Sequence, residues 1–142
     1  MAFVVVYDAC VLYPAPLRDL LVRLASAGIV RARWSDTILD ECFRSILKNR
    51  ADLKSEALNR TRELMTRAVA DCMVTGFDDL VEALELPDVD DCHVLAAAIR
   101  AGAQAIITFN LDDFPEEKLG PYNVRRRRPP LVRRPATTQP KT

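Results

Sequence analysis

LPDVDDCHVLAAAIRAGAQAIITFNLDDFP, residues 86–115, sets out a helix, a strand and a loop in one short run. Asp88, Asp90 and Asp91 cluster where a helix would begin, and carboxylates are favoured at a helix N-terminus because they oppose its positive dipole end. The helix is predicted to run through Ala101 and to stop at Gly102, a residue that readily takes the left-handed cap conformation. Residues 105–108 (AIIT) then read as a compact buried strand, and residues 109–115 as the loop leaving its carboxyl end. That loop carries Asn110, Asp112 and Asp113, at a position where loops of α/β proteins commonly hold functional groups.

The same alternation extends back to the first residues. Phe3–Tyr7 is a run of valines and aromatics that ends directly in Asp8, as a strand buried on both faces would. Leu17, Leu20, Leu21 and Leu24 recur at helical spacing and are closed by Gly28. Residues 29–34 suggest a second strand, and Ser35 or Asp36 a cap for a helix to about Asn49, with Ile38, Cys42, Ile46 and Leu47 inward and Glu41 in its early turns. Residues 53–69 carry Ala57, Leu58, Leu64, Met65 and Ala68 in helical rhythm, before a short strand at 72–75 and a short helix at 77–84. Strands alternating with helices predict an α/β fold with a central, mostly parallel sheet and a ligand crevice at the strands' carboxyl ends. Asp8 and Asp113 both follow strands, so both are expected at that crevice.

Composition sets the frame. A chain of 142 residues, 49% hydrophobic and 28% charged, fits one folded domain rather than a disordered segment. The apolar start is far shorter than a bilayer span and carries no signal-peptide pattern, so no membrane association and a cytoplasmic location are expected. Cys10, Cys42, Cys72 and Cys92 stand singly beside one histidine, His93; reduced packing thiols are expected rather than a zinc set or disulfides. The zero net charge hides an asymmetry: residues 1–122 carry −7 and residues 123–142 carry +7. The boundary is therefore placed there, with 1–122 as the domain and 123–142 as an Arg/Pro-rich segment holding a last strand at 123–127 and then a flexible tail. That arginine run is read either as a nonspecific phosphate-binding arm or as a solvated tail.

Asp8, Glu41, Asp91 and Asp113 are the candidate site. Carboxylate oxygens suit hard cations such as Mg²⁺ or Mn²⁺, and Mg²⁺ commonly takes one or two carboxylates plus water and substrate phosphate. Two carboxylates ~5 Å apart at an effective dielectric of ~20 repel by roughly 3 kcal/mol, which a cation or a proton must relieve. Each acid has a plainer reading. Asp8 could begin a turn, Asp91 could serve the helix N-terminus, and Glu41 could pair with Arg44 three residues on. Asp8 follows five apolar residues, and Asp88 and Asp90 already serve the helix end, so function is preferred for Asp8 and Asp91. His93, two positions after Asp91, is expected on another face of the helix and is read as structural or exposed. Cys10 and Cys92 lack a histidine partner for nucleophilic chemistry and are read as packing residues.

In four segments the chain resembles the PIN-domain nucleases, especially the VapC-type ribonuclease toxins of toxin–antitoxin pairs. VVVYDACVLYP is similar to the family's first strand with its acid at Asp8, SDTILDECFRSIL to its helix around Glu41, and the run at 86–115 to its acidic helix start and closing N-x-x-D-F loop, with Asp91 and Asp113. The likeness runs over residues 3–122. It implies a three-layer α/β/α fold, catalytic and metal-ligating roles for Asp8, Glu41, Asp91 and Asp113, and endoribonuclease activity with Mg²⁺ or Mn²⁺. An antitoxin partner, a homodimer and RNA as substrate are also implied, and it selects Asp113 over Asp112. A related enzyme of RNA processing or of structured DNA is the alternative. A phospho-acceptor domain, an Asp-x-Asp phosphatase and a non-catalytic interaction module are disfavoured, since Tyr7, Cys10 and Asn110 stand where the first two would need other residues.

Overall fold

The computed structural model describes residues 3–130. Strands β1 (Phe3–Tyr7), β2 (Val30–Arg33), β3 (Ala105–Ile107) and β4 (Arg125–Arg127) form one parallel sheet in the order β2-β1-β3-β4. Helices α1 (Ala9–Leu12), α2 (Ala15–Ser26), α3 (Asp36–Asn49), α4 (Ser55–Ala68), α5 (Asp78–Val81), α6 (Cys92–Ala101) and α7 (Glu116–Leu119) flank it, giving three layers. β1 is interior to the sheet, which is why its run FVVVY is apolar without alternation: Val5, Val6 and Tyr7 are all buried. Parallel neighbours need crossovers, and the helices between strands supply them.

The chain leaves β1 toward β2 on one side and returns to β3 on the other. Between the carboxyl ends of β1 and β3 the strand order therefore reverses, and crevices in open α/β sheets form at such points. Asp8 ends β1 there, and Thr108 to Asn110 end β3. The two strands are locked by their register, Val6 against Ile106 and Tyr7 against Ile107, and by the Asp8 N–H donating to the Ile107 carbonyl at 3.1 Å.

Packing explains why the helices sit so close. Ala96, Ala97 and Ala98 of α6 are fully buried, and small side chains let that helix approach β1 and β3. Gly102 caps α6 in the left-handed conformation at φ 64°, as its place after the helix requires. Beneath the crevice Tyr7 stacks on Trp34 with centroids 6.2 Å apart, and its hydroxyl donates to the Leu21 carbonyl at 3.0 Å, so this large buried ring has its polar atom satisfied.

Several expectations shift. The strand predicted at 72–75 is only a bridge between Met73 and Trp34, flanked by backbone hydrogen bonds from Trp34 to Cys72 and from Val74 to Trp34. Leu64 belongs to the apolar rhythm of α4 yet is 56% exposed, because Leu58 and Met65 take the inward stripe. Two short helices, α1 and α7, stand where no helix was expected: Asp8 caps the first, and Pro115 opens the second. β4 covers Arg125–Arg127 of the predicted 123–127, after Asn123 takes a left-handed turn at φ 59°. The tail expected beyond it falls, from residue 131, outside the described residues. No helix is long and apolar enough to cross a membrane among the described residues. There, too, all four cysteines are free thiols, three of them buried.

Candidate active site

Asp8 is built into the sheet end rather than laid upon it. Only 6% exposed, its carboxylate spans two elements. Oδ1 accepts the Ala9 N–H at 2.8 Å and so caps α1, while Oδ2 accepts the Thr108 hydroxyl at 2.9 Å from the end of β3. Thr108 is itself fully buried, and its Oγ1 accepts the Asn110 N–H at 3.0 Å. One hydroxyl thus ties the Asp8 carboxylate to the loop that follows β3. Burial pushes the Asp8 carboxyl above the usual range; the Thr108 and Ala9 donors pull it back in part, and the Glu41 charge adds to the rise.

Asp91 enters from another side. Residues Val89–Asp91 form a single 3₁₀ turn ahead of α6, so Asp91 stands at the helix N-terminus without using its side chain to cap it. Asp88 does the capping locally, accepting the Asp90 N–H at 2.9 Å. Of the two acids expected to serve the helix end, the Asp88 side chain does so and that of Asp90 makes no capping bond among the described residues; Asp91 is left with a buried Oδ2 that has no hydrogen-bond partner there. Its pKa rises to about 7, first through burial and then through the charges of Asp8, Asp88, Asp113 and Glu41. An unsatisfied buried carboxylate oxygen beside like charges is costly to ionise unless a cation or a proton joins it.

Glu41 projects from α3, whose start is fixed by the Ser35 hydroxyl accepting the Ile38 N–H at 3.1 Å. The pairing considered with Arg44 is not among its recorded contacts. Glu41 Oε2 instead lies 3.0 Å from His93 Nε2, a contact joining α3 to α6. This corrects the reading of His93 as a structural or exposed residue away from the acids. Asp91, in the 3₁₀ turn, lines the acidic cavity itself, and His93, in the first turn of α6, reaches it through Glu41. Burial by itself would lower the His93 pKa, but the Glu41 hydrogen bond and the charges of Glu41, Asp8 and Asp91 outweigh it, and the net shift is upward.

Asp8, Glu41, Asp91, Cys10, Tyr13 and Asn110 line a common cavity of about 390 Å³. Cys10, read from sequence as packing, is half-exposed there: Asp8 Oδ2 lies 3.7 Å from its thiol, and Thr108 Oγ1 lies 3.4 Å away. Burial and the neighbouring Asp8 charge hold that thiol above its usual range, which keeps it protonated and a poor nucleophile. Cys92, by contrast, is buried as expected.

Asp113 lies on the 3₁₀ turn Leu111–Asp113 and borders the adjoining cavity rather than this one. Asn110 lines both. Asp113 still acts on Asp91 through its charge, whereas Asp112, more exposed, is not among the groups that shift Asp91. Arg126 of β4 holds this turn in place, donating to the Leu111 carbonyl at 2.7 Å and to Glu116 at 3.2 Å.

Among the described residues no three histidine, cysteine or acidic side chains converge closely enough to ligate one ion together. The donor set nevertheless suits a hard cation: it is carboxylate oxygen, one oxygen of Asp91 is buried and unpartnered, and two carboxylates with water are what Mg²⁺ ordinarily uses.

Known proteins share this arrangement of segments. A stretch of 50 residues is 44% identical to VapC50 of Mycobacterium tuberculosis, a protein named as a candidate ribonuclease; it covers 35% of this chain and 29% of that protein's length. The chain thus spans well under two thirds of that relative. Residues 4–112, from β1 through the loop after β3, match the PIN domain, and with its parallel sheet and the acids gathered at the carboxyl ends of β1 and β3, the chain belongs to the PIN-domain family.

Proposed function

We propose that this chain is a divalent-metal-dependent endoribonuclease that hydrolyses RNA phosphodiesters, and that it is the toxin of a toxin–antitoxin pair acting in the cytoplasm. The observation that carries the catalytic reading is the buried, partnerless Oδ2 of Asp91 in a crevice shared with Asp8 and Glu41. Asp8 and Asp91 would hold Mg²⁺ or Mn²⁺, with Glu41 and Asp113 completing the shell directly or through water. A cation bound there supplies an activated water and charge to balance the phosphate. The chain's own residues do the rest: Thr108 fixes the Asp8 carboxylate, His93 fixes Glu41, and Asn110 offers an amide beside the crevice for hydrogen bonding to substrate. The identity shared with VapC50 supports RNA as the substrate; an antitoxin partner and a homodimer follow from the resemblance to VapC-type toxins.

The test is direct. The purified chain with single-stranded RNA is expected to produce new RNA ends when Mg²⁺ or Mn²⁺ is present and none with EDTA. Expression in a bacterial host is expected to arrest growth unless a partner protein is co-expressed. Metal-independent cleavage would overturn the mechanism, and harmless expression of an active enzyme would overturn the toxin role alone.

A further inference from the structure

Four consecutive arginines, Arg125 to Arg128, form the edge strand β4 and its carboxyl end, and the acidic crevice does not use them. Their side chains alternate, so Arg126 and Arg128 share a face, and both border the cavity formed with Phe109, Asn110, Asp112 and Asp113. The two are not equivalent. Arg126 is committed to the Leu111 carbonyl and Glu116, and so shapes the cavity. Arg128 is exposed and makes no ion pair or side-chain hydrogen bond among the described residues. Its position relative to the candidate acids is fixed by backbone: Thr108 N–H donates to the Arg127 carbonyl at 2.9 Å, and the Thr108 hydroxyl donates to Asp8. Arg128 therefore leaves the ladder two strands from Asp8, with β3 between them. Phe109, a large aromatic next to Thr108, is 39% exposed on the same rim.

We propose that Arg128 and Phe109 form a binding subsite for single-stranded RNA beside the carboxylate crevice, Arg128 taking a backbone phosphate and Phe109 stacking on the adjoining base. The proposal rests on the nuclease reading above and adds to it where the strand runs once it leaves the cut. Single-strand sites combine a cation that tracks the backbone with an aromatic face that accepts any base, and both groups stand here on one cavity. Asn110 borders this cavity and the acidic one, making the two continuous for a ligand longer than one nucleotide. The charge pattern also calls for such a group. Residues 1–122 carry a net −7, and the arginines that follow them add positive charge at the rim of this cavity.

The experiment uses the full chain in EDTA, so that no RNA is cut, with a fluorescent single-stranded RNA of about twelve nucleotides titrated at several salt concentrations. Losing one phosphate contact lowers the slope of log affinity against log salt by about 0.7 for a single strand. Arg128→Ala is expected to weaken binding and lower the slope by about that amount, while Arg128→Lys keeps the slope. Phe109→Ala is expected to weaken binding about fivefold or more with the slope unchanged, as loss of one stacked base should. If Arg128→Ala leaves affinity and slope as in the parent, the subsite is wrong and the nuclease reading stands on its own cleavage test. If the parent chain binds no RNA in EDTA, the subsite is likewise overturned, and the nuclease reading is decided by cleavage with Mg²⁺ or Mn²⁺. If a polyglutamate peptide binds with the same Arg128 dependence as RNA, the surface is a protein-docking site and the RNA subsite is overturned.

Discussion

His93 Nε2 and Glu41 Oε2 lie 3.0 Å apart, joining the first turn of α6 to the early turns of α3 across the acidic crevice. Among the described residues Glu41 has no other side-chain hydrogen bond, so this contact sets where its carboxylate points. Partners that orient a metal-ligating side chain are commonly worth about 10–100-fold in metal affinity or activity. His93→Ala is expected to raise the Mn²⁺ concentration needed for half-maximal RNA cleavage by about tenfold, and His93→Gln, which keeps a donor, by less. An unchanged metal requirement would show that Glu41 orients itself.

Thr108 is a second residue of this kind, working on Asp8. Its buried hydroxyl donates to Asp8 Oδ2 and accepts from the Asn110 amide. Thr108→Val keeps the shape and leaves a carboxylate and an N–H each short of one partner. A loss of about 1–3 kcal/mol in urea unfolding is expected, since unsatisfied buried polar groups cost that much. A stability equal to the parent's would mean that water replaces both bonds.

Asp91 makes stability depend on pH with a definite sign. Its carboxyl titrates near 3.8 when unfolded and at about 7 in the fold. Well below 3.8 both states hold the proton and Asp91 is neutral to stability. As pH rises toward 7 the unfolded chain has released the proton while the fold retains it, so stability falls; above about 7 the full cost of the ionised group remains. In EDTA, Asp91→Asn is therefore expected to approach the parent as pH falls well below 3.8 and to unfold at higher urea above pH 7, with the gap opening between. Asp8, also raised, leaves a residual slope in that variant. A gap of the same size at both ends would contradict this origin.

Arg126→Ala removes the clamp on the turn carrying Asp113. A loss of about 1–2 kcal/mol is expected for a charged donor on a backbone carbonyl, together with faster amide exchange at residues 111–113. Exchange unchanged from the parent would assign the turn's rigidity to buried Phe114 instead.

Much of this arrangement was legible in residue order. Five apolar residues ending in Asp8 could only be a buried strand with an acid at its tip, and the capping aspartates with Gly102 bracketed α6 closely. Asp91 could be separated from Asp88 because one acid suffices to cap. What residue order concealed was long-range. The His93–Glu41 contact links residues 52 apart in sequence, and its reach depends on a 3₁₀ turn that rotates Asp91 relative to α6. Spacing rules for a continuous helix put the two on different faces. Thr108 was read only as the end of a strand, since nothing local marks a threonine whose partner lies 100 residues away. The strand expected at 72–75 is a single bridge, in which Trp34 bonds through its backbone to Cys72 and Val74 on either side of Met73, a pairing with a residue distant in the chain that local sequence does not mark.

The account turns on the acidic crevice being a divalent-cation site, and the most direct measurement is a Mn²⁺ binding isotherm at pH 7.5 for the parent, Asp8→Asn and Asp91→Asn. Saturable binding by the parent, weakened about tenfold or more in each variant while both remain folded, is the predicted result. Parent-like Mn²⁺ affinity in both variants would contradict it.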